Sequence, residues 1–182
     1  QQVIKDLRDT FRVKDGFGLA APQIGSNVRI ITVNPSAIEM DVDYRIAEQL
    51  IMINPEIECS GEHVLSKEAC FSLPGLTETV KRYPQCTVTF IRENKEIETI
   101  HLSGLAAFCV QHEVDHLDGK LFIDRLSRFK KSLVVKKQRK LHKRREAARL
   151  QVQREFEDDA RLYGNSSDFP RISKPRSAKE QK

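Results

Sequence analysis

The pattern that most constrains this chain is a pair of histidines four residues apart, His112 and His116, with Glu113 between them. This spacing puts both imidazoles on one face of an α-helix, one turn apart, so both can point at one cation with Glu113 beside them. Proteins use two neutral nitrogens and an adjacent carboxylate to bind a divalent metal and to deprotonate water. The pattern predicts a helical metal site, and the alternative is an ordinary helix that happens to contain two histidines.

Length and charge indicate one packed domain followed by an extension. With 182 residues, 39% of them hydrophobic, the chain can form one well-packed domain but not a second of similar size. Residues 128–149 contain eleven Lys or Arg and one acid, and residues 150–182 contain seven bases and six acids. Since these segments contribute +10 and +1 to a net charge of +5, residues 1–127 have a charge of −6. The body is therefore acidic and the extension strongly basic.

The cysteines and the apolar runs indicate in which kind of cellular compartment we expect the protein. No apolar run is long enough to cross a bilayer, so we expect no membrane segment, and the first residues lack the features of a signal peptide. Irregular cysteine spacing argues against a disulfide framework and for a reducing compartment, where a thiol can serve as a metal ligand. The four cysteines are Cys59, Cys70, Cys86 and Cys109.

The strand signals are short β-branched and aliphatic runs bounded by turn residues. Two of them end in Asn-Pro, two form a hairpin across residues 93–95, and the polar residues 36–49 are expected to form a surface loop. The predicted strands are 28–33, 50–53, 86–92 and 96–102.

The helix signals complete the predicted fold. Residues 3–14 have helical spacing, Ser103 is a suitable N-cap for the histidine helix, and Gly119 supplies its stop. We predict an α+β fold in which antiparallel or mixed β-sheets pack around a central helix with the His-Glu-x-x-His pattern. A long basic C-terminal helix follows from residue 129.

A catalytic metal site needs a third protein ligand and an open position. Glu146 has a separation known from metalloproteases but lies in the basic extension. Cys109 is on the same helix face, yet about 10 Å of helix rise separates it from His116, whereas metal bonds are about 2.0–2.3 Å long. Cys70 is remote in sequence and follows a strand, so it can approach the helix from across the fold.

Three motifs occur in a fixed order: 16–23 (Gly-Phe-Gly-Leu-Ala-Ala-Pro-Gln), 68–72 (Glu-Ala-Cys-Phe-Ser) and 112–116 (His-Glu-Val-Asp-His). This combination resembles the peptide deformylases, which remove the formyl group from the initiator methionine of new polypeptides. The resemblance covers about residues 1–128. It implies a metal-dependent hydrolase that acts on formyl-methionine nascent peptides.

The resemblance also implies roles for individual residues. The metal ligands would be Cys70, His112 and His116, and the general base Glu113. Gln23 and the backbone N–H of Phe71 would bind the oxyanion. The residues that match the family's substrate pocket are Phe17, Gly18, Leu105, Phe108 and Cys109. The family typically binds Fe²⁺, and Zn²⁺, Ni²⁺ or Co²⁺ can occupy the site.

The chain departs from the family pattern at several positions. Ala69 and Phe71 stand where the family has Gly and Leu, and Ser66 and Thr77 replace an aliphatic and a basic residue. We expect effects on substrate affinity more than on chemistry. The chain begins within the helix before the first motif, so we expect the family's N-terminal strand to be absent. We predict a catalytic domain over 1–128, a helical extension over 129–163 and a disordered tail over 164–182.

The basic extension suggests a partner. Its charges have few acidic partners four residues away and repel one another unless an anion screens them. A solvated helix is one interpretation; the other, which the family's use of a C-terminal helix favours, is docking on ribosomal RNA. We expect a monomer in a bacterial-type cytoplasm or an organellar matrix. The alternative functions are a metalloprotease and a basic nucleic-acid-binding protein with a structural metal.

Overall fold

The structure is a computed structural model that describes residues 1–14, 16–34 and 49–162. The chain divides into two units, Gln1–Gln138 and a second unit that begins at Arg139. The helices are α1 (Gln2–Arg12), α2 (Gly104–Leu117) and α3 (Arg128–Leu162), with 3₁₀ turns at Ala21–Ile24 and Phe122–Arg125. The strands are β1 (Gly18–Ala20), β2 (Ile30–Val33), β3 (Leu50–Ser60), β4 (Val64–Ala69), β5 (Thr77–Arg82), β6 (Gln85–Ile91) and β7 (Ile97–Ser103).

Two antiparallel sheets make up the β part of the first unit. One has five strands in the order β1-β2-β3-β6-β7, and the other pairs β4 with β5. The predicted α+β class is confirmed, and both sheets are antiparallel rather than mixed. No helix in the described part of the chain is long and apolar enough to span a membrane.

The predicted hairpin is present as β6 and β7. Alternate residues are buried along both strands, which is the period-2 pattern from which the hairpin was predicted. The turn closes with a hydrogen bond from the Arg92 N–H to the Glu96 carbonyl, and Lys95 adopts a positive φ of 74°. The first predicted helix is also present, and its buried side chains are Ile4, Leu7 and Phe11.

The prediction that a strand ends at the Asn54-Pro55 pair is wrong. β3 continues to Ser60, and its register against β6 shifts between Ile53 and Glu56. Asn54 adopts a positive φ of 49°, a conformation that asparagine tolerates better than most residues. Proline is accepted inside a strand at such a bulge because the ladder is already interrupted there. The expected loop 36–49, apart from Gln49, and the expected tail 164–182 lie outside the described residues.

Helix α2 packs its apolar side against the five-stranded sheet. Ser103 occupies the N-cap position, although its hydroxyl makes no capping hydrogen bond. Ala106, Ala107, Val110 and Val114 are buried in the same core cluster as strand residues such as Val88. The histidine half of α2 is buried as well, so polar side chains there require specific partners.

A second core cluster lies beside the two-stranded sheet. Cys70, Leu76 and Val80 pack with Phe122 and Ile123 of the 3₁₀ turn and with Val134 of α3. Lys130 forms an ion pair with Glu78 at 3.0 Å, and Lys131 pairs with Asp124. The first turns of α3 therefore belong to the packed core of the first unit.

Candidate metal centre and active site

Three potential metal ligands converge between the end of β4 and helix α2. One ligand atom from each of Cys70, His112 and His116 lies within 4.8 Å of the other two. The Cys70 Sγ is 3.2 Å from the His116 Nε2. Among the sequence alternatives for the third ligand, the structure brings Cys70 to the histidines; neither Cys109 nor Glu146 belongs to this group in the described residues.

Both histidines are oriented by hydrogen bonds at Nδ1. The His112 Nδ1 lies 2.8 Å from the Glu68 carboxylate, and the His116 Nδ1 lies 3.1 Å from the Lys120 carbonyl. Each acceptor favours a proton on Nδ1 and leaves the Nε2 lone pair available to a cation. One thiolate and two imidazoles are a donor set that suits Zn²⁺, Fe²⁺, Co²⁺ and Ni²⁺ rather than Mg²⁺ or Ca²⁺. These residues therefore fit a divalent transition metal.

The surroundings of Cys70 favour the thiolate over the neutral thiol. Burial opposes a thiolate, but hydrogen bonds with His112 and His116 outweigh burial and lower the pKa of Cys70 to about 5. Burial also opposes the charged form of His112 and acts to lower its pKa. Its hydrogen bonds to Cys70 and Glu68 outweigh burial and raise the pKa of His112 to about 10. The thiolate is the form that binds metals, and a cation held by these residues would need the His112 imidazole to be neutral.

Glu113 lies beside these ligands in a closely packed position. Its Oε2 is buried and makes no hydrogen bond within the described residues. A Cβ placed on Gly18 would be 2.6 Å from the Glu113 Oε1, so only glycine fits against this carboxylate without a shift. Burial raises the pKa of Glu113 to about 7, although the neighbouring histidines act in the opposite direction. A carboxylate with this pKa can exchange protons near neutral pH.

Gln23 approaches the site from the 3₁₀ turn after β1. Its Oε1 accepts a hydrogen bond from the Ala20 N–H at 2.9 Å, which fixes the orientation of the amide. Its Nε2 then points at the Ser72 hydroxyl, 3.1 Å away, and at the Cys70 sulfur, 3.5 Å away. The backbone N–H of Phe71 follows Cys70 directly in the sequence.

A cavity of about 770 Å³ opens onto these groups. Besides the site residues, its lining includes the two unusual positions Ser66 and Thr77. Burial raises the pKa of the Cys109 thiol well above its usual value, so this cysteine is a neutral part of the wall. All five predicted substrate-pocket residues line the cavity: Phe17, Gly18, Leu105, Phe108 and Cys109.

An ion-pair network that was not predicted from the sequence lies behind the histidines. Arg82 has no exposed side-chain surface and donates two hydrogen bonds to Glu68, at 2.7 and 2.9 Å, and one to Asp115 at 2.6 Å. Arg125 binds both oxygens of Asp115, at 2.7 and 2.6 Å. Burial raises the pKa of Glu68, but bonds from Arg82 and His112 hold it at about 2. Asp115 lies within the histidine pattern, so the sequence contained a signal that this acid belongs to the site. No sequence signal indicated that Arg82 is buried beside it.

The chain is similar to a known family both in sequence and in structure. A family model described as polypeptide deformylase matches residues 1–132. A peptide deformylase from Thermodesulfovibrio yellowstonii is 43% identical over 138 residues, which cover 75% of this chain and 80% of that protein. The crystal structure of a peptide deformylase from Legionella pneumophila has a TM-score of 0.68 and 38% identity, covering 81% and 82% of the two chains. A peptide deformylase from Synechococcus elongatus, solved in complex with actinonin, has a TM-score of 0.64 and 35% identity, covering 75% and 72%.

Proposed function

The chain belongs to the polypeptide deformylase family, and we propose that it removes the N-formyl group from the initiator methionine of newly synthesised polypeptides and releases formate. The cluster of Cys70, His112 and His116 beside the buried Glu113 is the observation that supports this function most directly. A metalloprotease and a nucleic-acid-binding protein with a structural metal, the two alternatives from the sequence, receive no support from the comparisons.

Cys70, His112 and His116 would hold one divalent cation, which we propose is Fe²⁺ because of the family resemblance. The donor set also accepts Zn²⁺, Ni²⁺ and Co²⁺. When bound, such a cation supplies Lewis-acid chemistry: it polarises a carbonyl and lowers the pKa of water. The hydrogen bonds to Glu68 and Lys120 hold the two imidazoles in the orientation that this binding needs.

Glu113 is the proton carrier of the proposed reaction. Its ionised carboxylate takes a proton from the attacking water, and the resulting acid gives that proton to the departing amine nitrogen. Burial raises the pKa of Glu113 to about 7, which supports both steps because it brings the pKa closer to neutral pH, where general acid–base catalysis is most efficient. Its contact with Gly18 keeps the carboxylate in one position against the cavity wall.

Gln23 and the Phe71 backbone N–H stabilise the negative charge that develops on the formyl oxygen. The Gln23 amide is held by the Ala20 N–H, so its Nε2 is already aimed toward Cys70 before substrate binds. Donors that need no reorganisation stabilise a transition state more than mobile donors do. Ser72, which contacts the same Nε2, further limits its position.

An extended peptide can reach this site along β4. This strand pairs only with β5, so its other edge has no strand partner in the described sheets. Every residue of 66–71 lines the cavity, which indicates that this edge faces it. We propose that the substrate backbone pairs with β4 while the methionine side chain enters the apolar part of the cavity near Leu105 and Phe108.

Incubation with a formyl-Met peptide tests the proposed function. The protein should release formate in proportion to enzyme and leave every internal peptide bond intact, as measured by formate assay and mass spectrometry of the peptide. Cleavage of internal bonds would identify a protease. A metal-loaded protein that releases no formate would contradict the proposal.

Replacing Cys70 with alanine should remove one of three metal ligands. We expect a purified Cys70→Ala protein to contain far less metal than the wild type when metal content is measured by atomic emission. Cys109→Ala is the matched control, because Cys109 is buried nearby but does not belong to the ligand group. Full metal content in Cys70→Ala would eliminate the proposed ligand set.

Replacing Gly18 with alanine should disturb Glu113 without removing it. The added Cβ would lie 2.6–2.9 Å from three atoms of the Glu113 side chain, so the carboxylate must move. Because small misplacements of a catalytic group can cost about 10²-fold in rate, we expect kcat to fall by about that factor with metal content unchanged. An unaltered kcat would mean that the position of Glu113 is not critical.

We propose three parts for the chain: a catalytic domain at 1–128 built around α2 as its central helix, a basic helical extension at 129–163 and a tail from 164.

We further propose that the extension docks on ribosomal RNA. The side chains of Lys140, Lys143 and Arg144 are all exposed, and the only acid among residues 128–149 is Glu146. Such a surface binds phosphate groups without sequence preference. We also propose that the chain acts as a monomer, a state consistent with one copy supplying every proposed site residue.

Co-sedimentation with ribosomes tests this docking. Changing Lys140, Lys143 and Arg144 to glutamine should markedly reduce the fraction that pellets, and added salt should weaken wild-type binding. These positions leave the packed first turns of α3 intact, so deformylation of a free peptide is the control and should stay unchanged. Equal pelleting of the triple variant and the wild type would refute the proposal.

A further inference from the structure

Two cysteines that the proposed reaction does not use lie directly opposite each other. β3 and β6 run antiparallel, and Cys59 and Cys86 are partners in their register. Directly opposed side chains project from the same face of a sheet, with Cα atoms about 4.5 or 5.5 Å apart. Both separations fall within the range of about 4.4–6.8 Å that a disulfide requires. The backbone therefore already has the spacing for a cross-strand bond.

Cys86 lies in an apolar core cluster and Cys59 packs against it, but the two thiols differ in access. Cys86 is buried in the core between the sheet and α2, with its Sγ 4.0 Å from the Ala107 carbonyl oxygen. Cys59 is half-buried and packs against the same cluster. Burial raises the pKa of Cys86 to about 12; it also raises that of Cys59, where the guanidinium of Arg125 acts in the opposite direction. Cys59 is thus the thiol that a small reagent can reach first.

We propose that Cys59 and Cys86 are a dithiol site that closes to a disulfide by exchange with a low-molecular-weight disulfide. The Cys59 thiolate attacks one sulfur of the reagent, whose S–S bond breaks, and the first small thiol leaves with a proton. Cys86 then loses its proton and attacks the Cys59 sulfur, and the second small thiol leaves. The protein loses two protons and two electrons, and the reagent gains them as two thiols.

A disulfide between Cys59 and Cys86 would join the two ends of the segment 59–86. The residues between the cysteines include β4, Cys70 and β5, which form one wall of the cavity. A disulfide lowers the entropy of the unfolded chain, so the oxidised protein should unfold at a temperature several degrees higher. Neither cysteine lines the cavity, so the bond should form independently of any activity.

Peptide mapping of the metal-loaded full chain tests the bond. The protein is incubated with oxidised glutathione under native conditions, alkylated and digested with trypsin without reduction. Cleavage after Lys and Arg leaves each cysteine on its own peptide: 46–67 for Cys59, 68–81 for Cys70, 83–92 for Cys86 and 96–120 for Cys109. We expect 46–67 linked to 83–92, with a mass two hydrogens below the sum of the two peptides.

Two variants separate this pathway from other oxidation. Cys86→Ala should retain glutathione on peptide 46–67. Cys59→Ala should form neither the glutathione adduct nor the link between the two peptides. In both variants the unfolding temperature should stay unchanged after the incubation. A glutathione adduct that persists on 46–67 of the wild type would overturn the proposal. So would a link to 68–81 or 96–120, or a link that appears only in denaturant. If a variant fails to fold, the wild-type map alone decides.

Discussion

Replacing Glu113 with glutamine is expected to lower kcat for formate release by about 10²–10⁴-fold. Glutamine has nearly the same shape, so it fits against Gly18, but its amide cannot take a proton from water or give one to the leaving amine. Because Glu113 is not one of the three clustered ligands, the variant should keep its metal. The measurement is kcat on a formyl-Met peptide together with metal content per chain.

The pH dependence provides the control for this variant. The ionised form of Glu113 is the base, so wild-type kcat/KM should fall as the pH is lowered through the pKa of this group, which burial raises to about 7. With a cation held by Cys70, His112 and His116, the ionised form of Glu113 would be favoured and this limb would lie at lower pH. The glutamine variant should lack the limb. A variant that retains both the activity and the limb would exclude Glu113 as the proton carrier.

The parts of the site that could be predicted are those with a strong local pattern. His112, Glu113 and His116 follow from helical spacing alone, because four residues make one turn. Alternation similarly predicted β6 and β7, since each strand has one buried face. Cys70 could not be assigned from spacing, because its approach to α2 depends on how the small sheet packs. Helix rise argued against Cys109 and the basic surroundings argued against Glu146, but only the combination of three motifs assigned Cys70 as the ligand.

The features missed in the sequence arise from tertiary packing. β5 contains charged residues and lacks a clean strand signal, yet it forms because β4 supplies its partner along the whole strand. Asn54 and Pro55 normally end a strand, and here a bulge absorbs them within β3. Arg82 resembles a surface arginine in the sequence. Its burial becomes understandable only when Glu68 and Asp115, from different elements, are brought into contact with its guanidinium group.

Arg82 connects the candidate metal site to the rest of the core. The Glu68 carboxylate that accepts from His112 is itself held by two nitrogens of Arg82, and a third nitrogen binds Asp115 on α2. The small sheet and the histidine helix are thus connected through one side chain with no exposed surface. Removing one partner of a surface ion pair such as Arg29 and Asp118 has no comparable effect on stability, because water solvates the charge that remains.

Replacing Arg82 with methionine should therefore destabilise the protein by about 3–5 kcal/mol, because it leaves the buried Glu68 carboxylate uncompensated. Burial would then raise the pKa of Glu68, and its protonation would weaken the acceptor that orients His112, so metal content should fall as well. The loss should be largest at high pH and shrink as the pH is lowered, since protonation removes the buried charge. Urea unfolding across pH measures this, with Arg29→Met as the control that should change stability by less than about 1 kcal/mol. Equal effects of the two substitutions would mean that the buried network does not stabilise the site.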